Sequence, residues 1–141
     1  MMRINFYEKP GCINNTKQKK ILRNAGFEVI EHNLLTEKWT ASHLLSFFAS
    51  KKVEEWFNRS APRVKSGEVI PEKLDAGQAL SLMAQDPLLI RRPLIATELG
   101  SLCGFDAKEV ATLLGIEVKL LSDMGDIETC TQTSGLDCKE A

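Results

Sequence analysis

The chain has 141 residues, 18 basic against 19 acidic for a formal net charge of -1, and 43% hydrophobic residues. That length holds one domain with a real core rather than two, and the even mixture of charges excludes the broad basic face that nucleic-acid binding alone would need. No apolar run approaches the roughly 20 residues of a membrane span and the N-terminus has no signal-peptide pattern, so a cytoplasmic protein that binds neither membrane nor nucleic acid is expected.

The first element is a short strand in which Ile4 and Phe6 alternate with Asn5 and Tyr7. Pro10-Gly11 breaks it, Cys12 follows, and Asn14, Asn15 and Thr16 are natural helix starters. A cysteine at a strand-to-helix junction meets the unpaired N–H groups and positive end of the helix, both of which favour a thiolate. Lys9, Lys17, Lys19 and Lys20 lie close by in sequence and are expected to add positive charge. Position alone leaves an inert, buried thiol equally open. The helix should present Ile13, Ile21, Leu22 and Ala25 as an apolar stripe and stop before Gly26, with Phe27 to Glu31 as the second strand. So short a return makes a βαβ unit with parallel strands.

Beyond Leu35, Thr40 or Ser42 caps a helix whose expected apolar side is Leu44, Leu45, Phe47 and Phe48. A second short helix repeats the theme with Val53, Trp56 and Phe57, read as ordinary packing. Asn58 to Pro71 reads as a loop, and its basic residues Arg59, Arg63 and Lys65 taken alone read as solvated charge. From Pro71 the pattern is helical, with Leu74, Leu80 and Met83 inward, until Pro87.

Leu88-Leu89-Ile90 and Leu94-Ile95-Ala96 read as one apolar strand interrupted by Arg91-Arg92-Pro93. Pro93 cannot donate to a ladder, so it belongs at an edge, a strand start or a special turn such as a cis bond. Glu98 to Ser101 forms a hairpin turn, Leu102-Cys103 begins the returning strand, and Asp106 with Glu109 resembles a capping box on a last helix that buries Val110, Leu113 and Leu114. After Leu121 the composition is polar and the chain should fray. The four cysteines, Cys12, Cys103, Cys130 and Cys138, include no C-x-x-C pair. Neither a metal site nor a local dithiol is expected, free thiols are, and Cys130 and Cys138 read as idle because no spacing enforces an encounter with Cys12.

The order β-α-β, helical insertion, β-β-α is the thioredoxin plan, an α/β fold with a four-stranded mixed sheet. The domain is expected over 1–121, with the insertion over about 36–85 and a polar flexible tail over 122–141. Four stretches then carry a closer resemblance: Phe6 to Cys12 with Asn14-Asn15, Trp56 to Glu68, Asp86 to Leu94, and Gly104-Phe105-Asp106. In these the chain resembles the arsenate reductase and Spx branch of the thioredoxin-like superfamily, and within that branch closely resembles the nitrogenase-associated group.

That resemblance implies a monothiol oxidoreductase. Cys12 would be the nucleophile, Arg59 and Arg92 would seat an oxyanion or the carboxylate of glutathione, and Asn14, Asn15 and Pro93 would complete the binding residues. It also implies a cis Arg92-Pro93 bond beside Cys12, no bound cofactor, glutathione or glutaredoxin as reductant, and glutaredoxin or another protein as partner. Arginine forks suit tetrahedral oxyanions and lower a neighbouring thiol pKa. Two departures matter. The third arginine of the reductases is replaced near Gly104, and Asn15 stands where Spx carries the second cysteine of its C-x-x-C pair. The alternative is an accessory or regulatory protein that binds a nitrogenase-related or Spx-like partner.

Overall fold

The computed structural model describes residues 2–48 and 51–121. The tail expected to fray, with Cys130 and Cys138, lies outside the described residues. Strand β1 (Arg3–Glu8) occupies an interior position in a four-stranded sheet of order β2-β1-β3-β4. It pairs in parallel with β2 (Glu28–Asn33) and antiparallel with β3 (Leu94–Thr97), which pairs antiparallel with β4 (Gly100–Cys103). Side chains alternate across a strand, so an interior strand feeds two cores. Ile4 and Phe6 enter one, with Ile21 and Leu22 of helix α1 (Ile13–Asn24), Ile95 of β3, and Val110 and Leu114 of helix α5 (Ala107–Leu114). Tyr7 and Leu94 enter the other, which the inserted helices α2 (Ala41–Phe48) and α4 (Ala76–Gln85) supply with Leu44, Phe47, Phe48, Leu80 and Met83.

Several local expectations change. The inward face of α1 is Asn15, Gln18, Ile21 and Leu22, and Ile13 is 45% exposed, because the helix begins at Ile13 and its residues three and four apart fall on another line. Leu45 is likewise exposed, lying one step round from Leu44, and Thr40 rather than Ser42 caps α2 by accepting from the His43 N–H at 3.2 Å. Val53–Trp56 is a 3-10 turn, and the Asn58–Pro71 stretch contains a single helical turn, α3 (Pro62–Lys65). The helix expected from Pro71 starts at Ala76, where Asp75 and Gln78 form a reciprocal capping box. Pro87–Leu89 is a 3-10 turn rather than strand, with Asp86 accepting from the Leu88 N–H. The hairpin is tighter than expected, with Thr97 opposite Gly100 and β4 already under way at Gly100. Asp106 caps α5 through the N–H groups of Lys108 and Glu109, whereas the Glu109 carboxylate reaches Lys51 at 2.8 Å and so ties the insertion to the last helix.

Candidate functional site around Cys12

Lys9-Pro10-Gly11-Cys12 is a tight turn in which the Cys12 N–H donates to the Lys9 carbonyl at 3.1 Å. Gly11 has φ of 86°, the value a type II turn asks of its third residue, and Pro10 pre-sets the second. Cys12 itself is the N-cap of α1, a correction to the sequence reading that started the helix with Asn14, Asn15 or Thr16. It is 1% exposed, and its carbonyl accepts from the N–H and the hydroxyl of Thr16 at 3.0 and 3.1 Å. The Cys12 sulfur is disulfide-bonded, whereas Cys103 is a free thiol buried in the core as expected. The expectation of free thiols therefore holds for Cys103 and not for Cys12.

Asn15 is 2% exposed and its amide is used twice: Oδ1 accepts from the Lys9 N–H at 3.3 Å and Nδ2 donates to Gln18 Oε1 at 2.9 Å. Asn14 is half-buried.

The Arg92–Pro93 bond is cis. In the ladder Tyr7 lies opposite Leu94 and Leu94 opposite Cys103, and the Pro93 carbonyl accepts from the Gly104 N–H at 2.8 Å. The end of β1, the start of β3 and the end of β4 therefore meet at one end of the sheet. Pro93 follows Leu94 outward on β3 as Glu8 follows Tyr7 on β1, which brings Arg92-Pro93 alongside the turn that leads to Cys12.

Arg92 is 7% exposed; its Nε is buried without an acceptor, although the residue itself is engaged. Arg59 sits differently. Phe57 forms an antiparallel bridge with Ile90, flanked by Asn58 N–H to Leu89 O at 2.8 Å and Arg91 N–H to Trp56 O at 2.9 Å. From this bridge the chain toward Arg59 and the chain toward Arg92 run in opposite directions. The Arg59 side chain is 49% exposed, pairs with Glu72 at 2.7 Å and donates to the Glu54 carbonyl at 3.2 Å.

Residues 7–113 match the profile of the ArsC family. The chain belongs to that family. A 15.7 kDa protein in the draG 3' region of Rhodospirillum rubrum is 48% identical over 96% of this chain and 93% of its own length. The global transcriptional regulator Spx of Streptococcus pyogenes serotype M3 is 24% identical over 79% of this chain and 84% of its own, and arsenate reductase ArsI2 of Synechocystis is 29% identical over 67% and 69%. Among solved structures, an arsenate reductase from Vibrio cholerae superposes with a TM-score of 0.66 at 18% identity, covering 82% of this chain and 98% of that one, which shows the shared thioredoxin-like fold.

Within this ArsC-family frame the charges expected to surround Cys12 are largely committed elsewhere. Lys19 bridges Glu8 and Glu31, both at 2.9 Å, and Arg23 adds a bond to Glu31 at 3.1 Å. Burial works against a charged Lys19, but its hydrogen bonds to Glu31 and Glu8 outweigh that and raise its pKa. Arg63 spans Glu68 at 3.0 Å and Asp86 at 2.9 Å, so the basic loop is internally neutralised. Lys17, Lys20 and Lys65 face solvent, and Lys9 is buried.

Sequence reasoning missed Gln18 and the ring cluster around Tyr7. Tyr7 stacks on His32 with centroids 4.5 Å apart and meets Trp39 at 5.2 Å, and burial followed by the Glu37 charge pushes its hydroxyl pKa up. The signal for Gln18 was its spacing of three from Asn15, hidden because polar residues are not sought on an inward face. Among the described residues, no helix is long and apolar enough to cross a membrane.

Proposed function

We propose that this ArsC-family protein is a thiol-dependent oxidoreductase whose nucleophile is Cys12. The observation that carries the reading is the meeting of the Cys12 turn with Arg92-Pro93 at one end of the sheet, set by the register of β1 against β3. Reduction of the Cys12 disulfide by a thiol such as glutathione releases the thiolate. The thiolate attacks the central atom of a tetrahedral oxyanion, one oxygen leaves as water, and Arg92 offsets the negative charge from beside the turn. A glutathione thiolate then resolves the adduct. The oxyanion gains two electrons, the sulfurs lose them, and Cys12 is left in a mixed disulfide that a glutaredoxin reduces. Arg59 joins the oxyanion by exchanging its exposed pair with Glu72, which costs little.

The absent third arginine lowers the expected efficiency with arsenate, since one charged hydrogen bond is worth roughly 1.5–3 kcal/mol. Arsenate turnover with glutathione and glutaredoxin, compared between the wild type and Cys12→Ser, tests the reading. Activity that vanishes in the variant supports it, and equal rates reject it. The Spx and draG-region relatives favour a second reading, a regulatory or accessory protein acting through a nitrogenase-related or Spx-like protein partner. Partner capture that survives Cys12→Ala, with no turnover by the wild type, selects that second reading.

A further inference from the structure

We propose that Asn15 is the positioning residue of Cys12, holding the sulfur against the first turn of α1 through a two-sided amide clamp. The inference rests on the thiolate role of Cys12 proposed above and deepens it. Both backbone polar groups of Lys9 are tied to the helix start: its N–H donates to Asn15 Oδ1 at 3.3 Å and its carbonyl accepts from the Cys12 N–H at 3.1 Å. Asn15 is anchored in turn by its Nδ2 bond to Gln18 Oε1 at 2.9 Å, and the two residues are 2% and 0% exposed. The turn before the sulfur and the helix after it are thus fastened to each other by one side chain.

Only an amide does this. It offers an acceptor to Lys9 and a donor to Gln18 without bringing a charge. An ionised carboxylate accepts from Lys9 but cannot donate to Gln18, and its charge beside the N-cap opposes a thiolate. An alanine takes the Asn15 acceptor from the Lys9 N–H and the Asn15 donor from Gln18 Oε1. A helix N-terminus depresses a thiol pKa only for a sulfur kept within its first turn, because the field falls off over that distance. When the clamp loosens, the sulfur moves out of that field.

The test uses the full chain, reduced with dithiothreitol and freed of it. The rate of iodoacetamide alkylation is followed at the Cys12 peptide by mass spectrometry from pH 5 to 10, for the wild type, Asn15→Ala, Asn15→Asp and Gln18→Ala, with Tm recorded for each. Expected are a wild-type apparent pKa below the unperturbed value of about 8.5, an upward shift of about half a unit or more in Asn15→Ala, a larger one in Asn15→Asp, and a smaller one in Gln18→Ala. At pH 6.5 alkylation should slow by roughly threefold to tenfold in Asn15→Ala.

A fall in Tm with an unmoved pKa overturns the proposal, because that is what a purely structural asparagine would give. Should Asn15→Ala fail to fold, the isosteric Asn15→Asp and the remote Gln18→Ala decide by the same criterion. A shifted pKa in the variants together with no oxyanion turnover by the wild type supports the positioning role while removing the oxidoreductase. An unperturbed wild-type pKa overturns both.

Discussion

Arg59 and Glu72 form a 2.7 Å ion pair on the exposed rim of the insertion, and that pair holds one of the two arginines proposed to seat an oxyanion. The hydrogen bond from Arg59 pulls the Glu72 carboxyl below the usual carboxylate range, so Glu72 is fully charged at neutral pH and competes with any incoming anion. Glu72→Gln weakens this competitor. It should tighten protection of reduced Cys12 by phosphate or arsenate about twofold to fivefold, while Arg59→Ala loosens it by a similar factor. Protection against iodoacetamide at several anion concentrations reads the effect, and Tm should barely move because the pair is exposed. Identical protection constants in all three proteins would remove Arg59 from the site.

Arg92 should behave as the stronger of the two. Its burial means that a bound anion meets its charge with little solvent between, whereas the Arg59 charge is half screened. Arg92→Ala is expected to abolish anion protection of Cys12 and to cost on the order of 1–3 kcal/mol of stability, since its buried contacts are lost with it. Arg92→Lys should recover stability better than anion binding, because an ammonium replaces the planar fork with a point charge. Urea unfolding read alongside the protection assay separates the two effects. Full protection in Arg92→Ala would contradict the assignment.

The framework of this site was legible in the sequence because it depends on local chemistry. Pro10-Gly11 could only turn, Pro93 could not sit inside a ladder, and the alternation of Ile4 and Phe6 with Asn5 and Tyr7 marked a strand. What escaped depends on long-range partners. Nothing near Arg59 in sequence announces Glu72, thirteen positions on, and nothing near Lys19 announces Glu8 and Glu31 as its two acceptors. Ile13 and Leu45 were placed inward because hydrophobicity was read without the helix phase, which the starts of α1 and α2 decide. Asn15 was noticed for the cysteine it displaces, and its clamp on Lys9 needed the fold of the turn.

The Asp106 cap provides a check on the scaffold that leaves the site alone. Its carboxylate accepts from the N–H groups of Lys108 and Glu109 at 2.9 and 3.0 Å, and Gly115 closes the other end of α5 with φ of 72°. Asp106→Ala should destabilise the fold by about 1 kcal/mol and Gly115→Ala by a comparable amount, the latter because a side chain is strained in the left-handed region. Chemical denaturation gives both numbers. Neither variant should alter the alkylation pKa of Cys12.

The ion network behind β1 sets a pH window for stability. Hydrogen bonds from Lys19 and then Arg23 hold the Glu31 carboxyl below its ordinary value, so its contribution is present above the unfolded carboxylate pKa of about 4.3 and is lost as pH falls through the lower folded value. Lys19 is raised, so its contribution is complete below the unfolded lysine pKa of about 10.4 and is lost as pH rises through the higher folded value. The two combine into a plateau across neutral pH that declines at both ends. Because the Glu31 side chain is 47% exposed, solvent screening limits its share to below about 1 kcal/mol. Glu31→Gln should therefore lower the urea midpoint slightly at pH 7, and the difference should shrink as pH falls below the unfolded carboxylate value of about 4.3. Lys19→Met removes a charge from between two carboxylates, one of them on the buried Glu8, and should cost more at pH 7 than Glu31→Gln does. A midpoint difference between wild type and Glu31→Gln that does not shrink at all as pH is lowered from 7 through the carboxylate range would show that the side chain matters through packing and not through its charge.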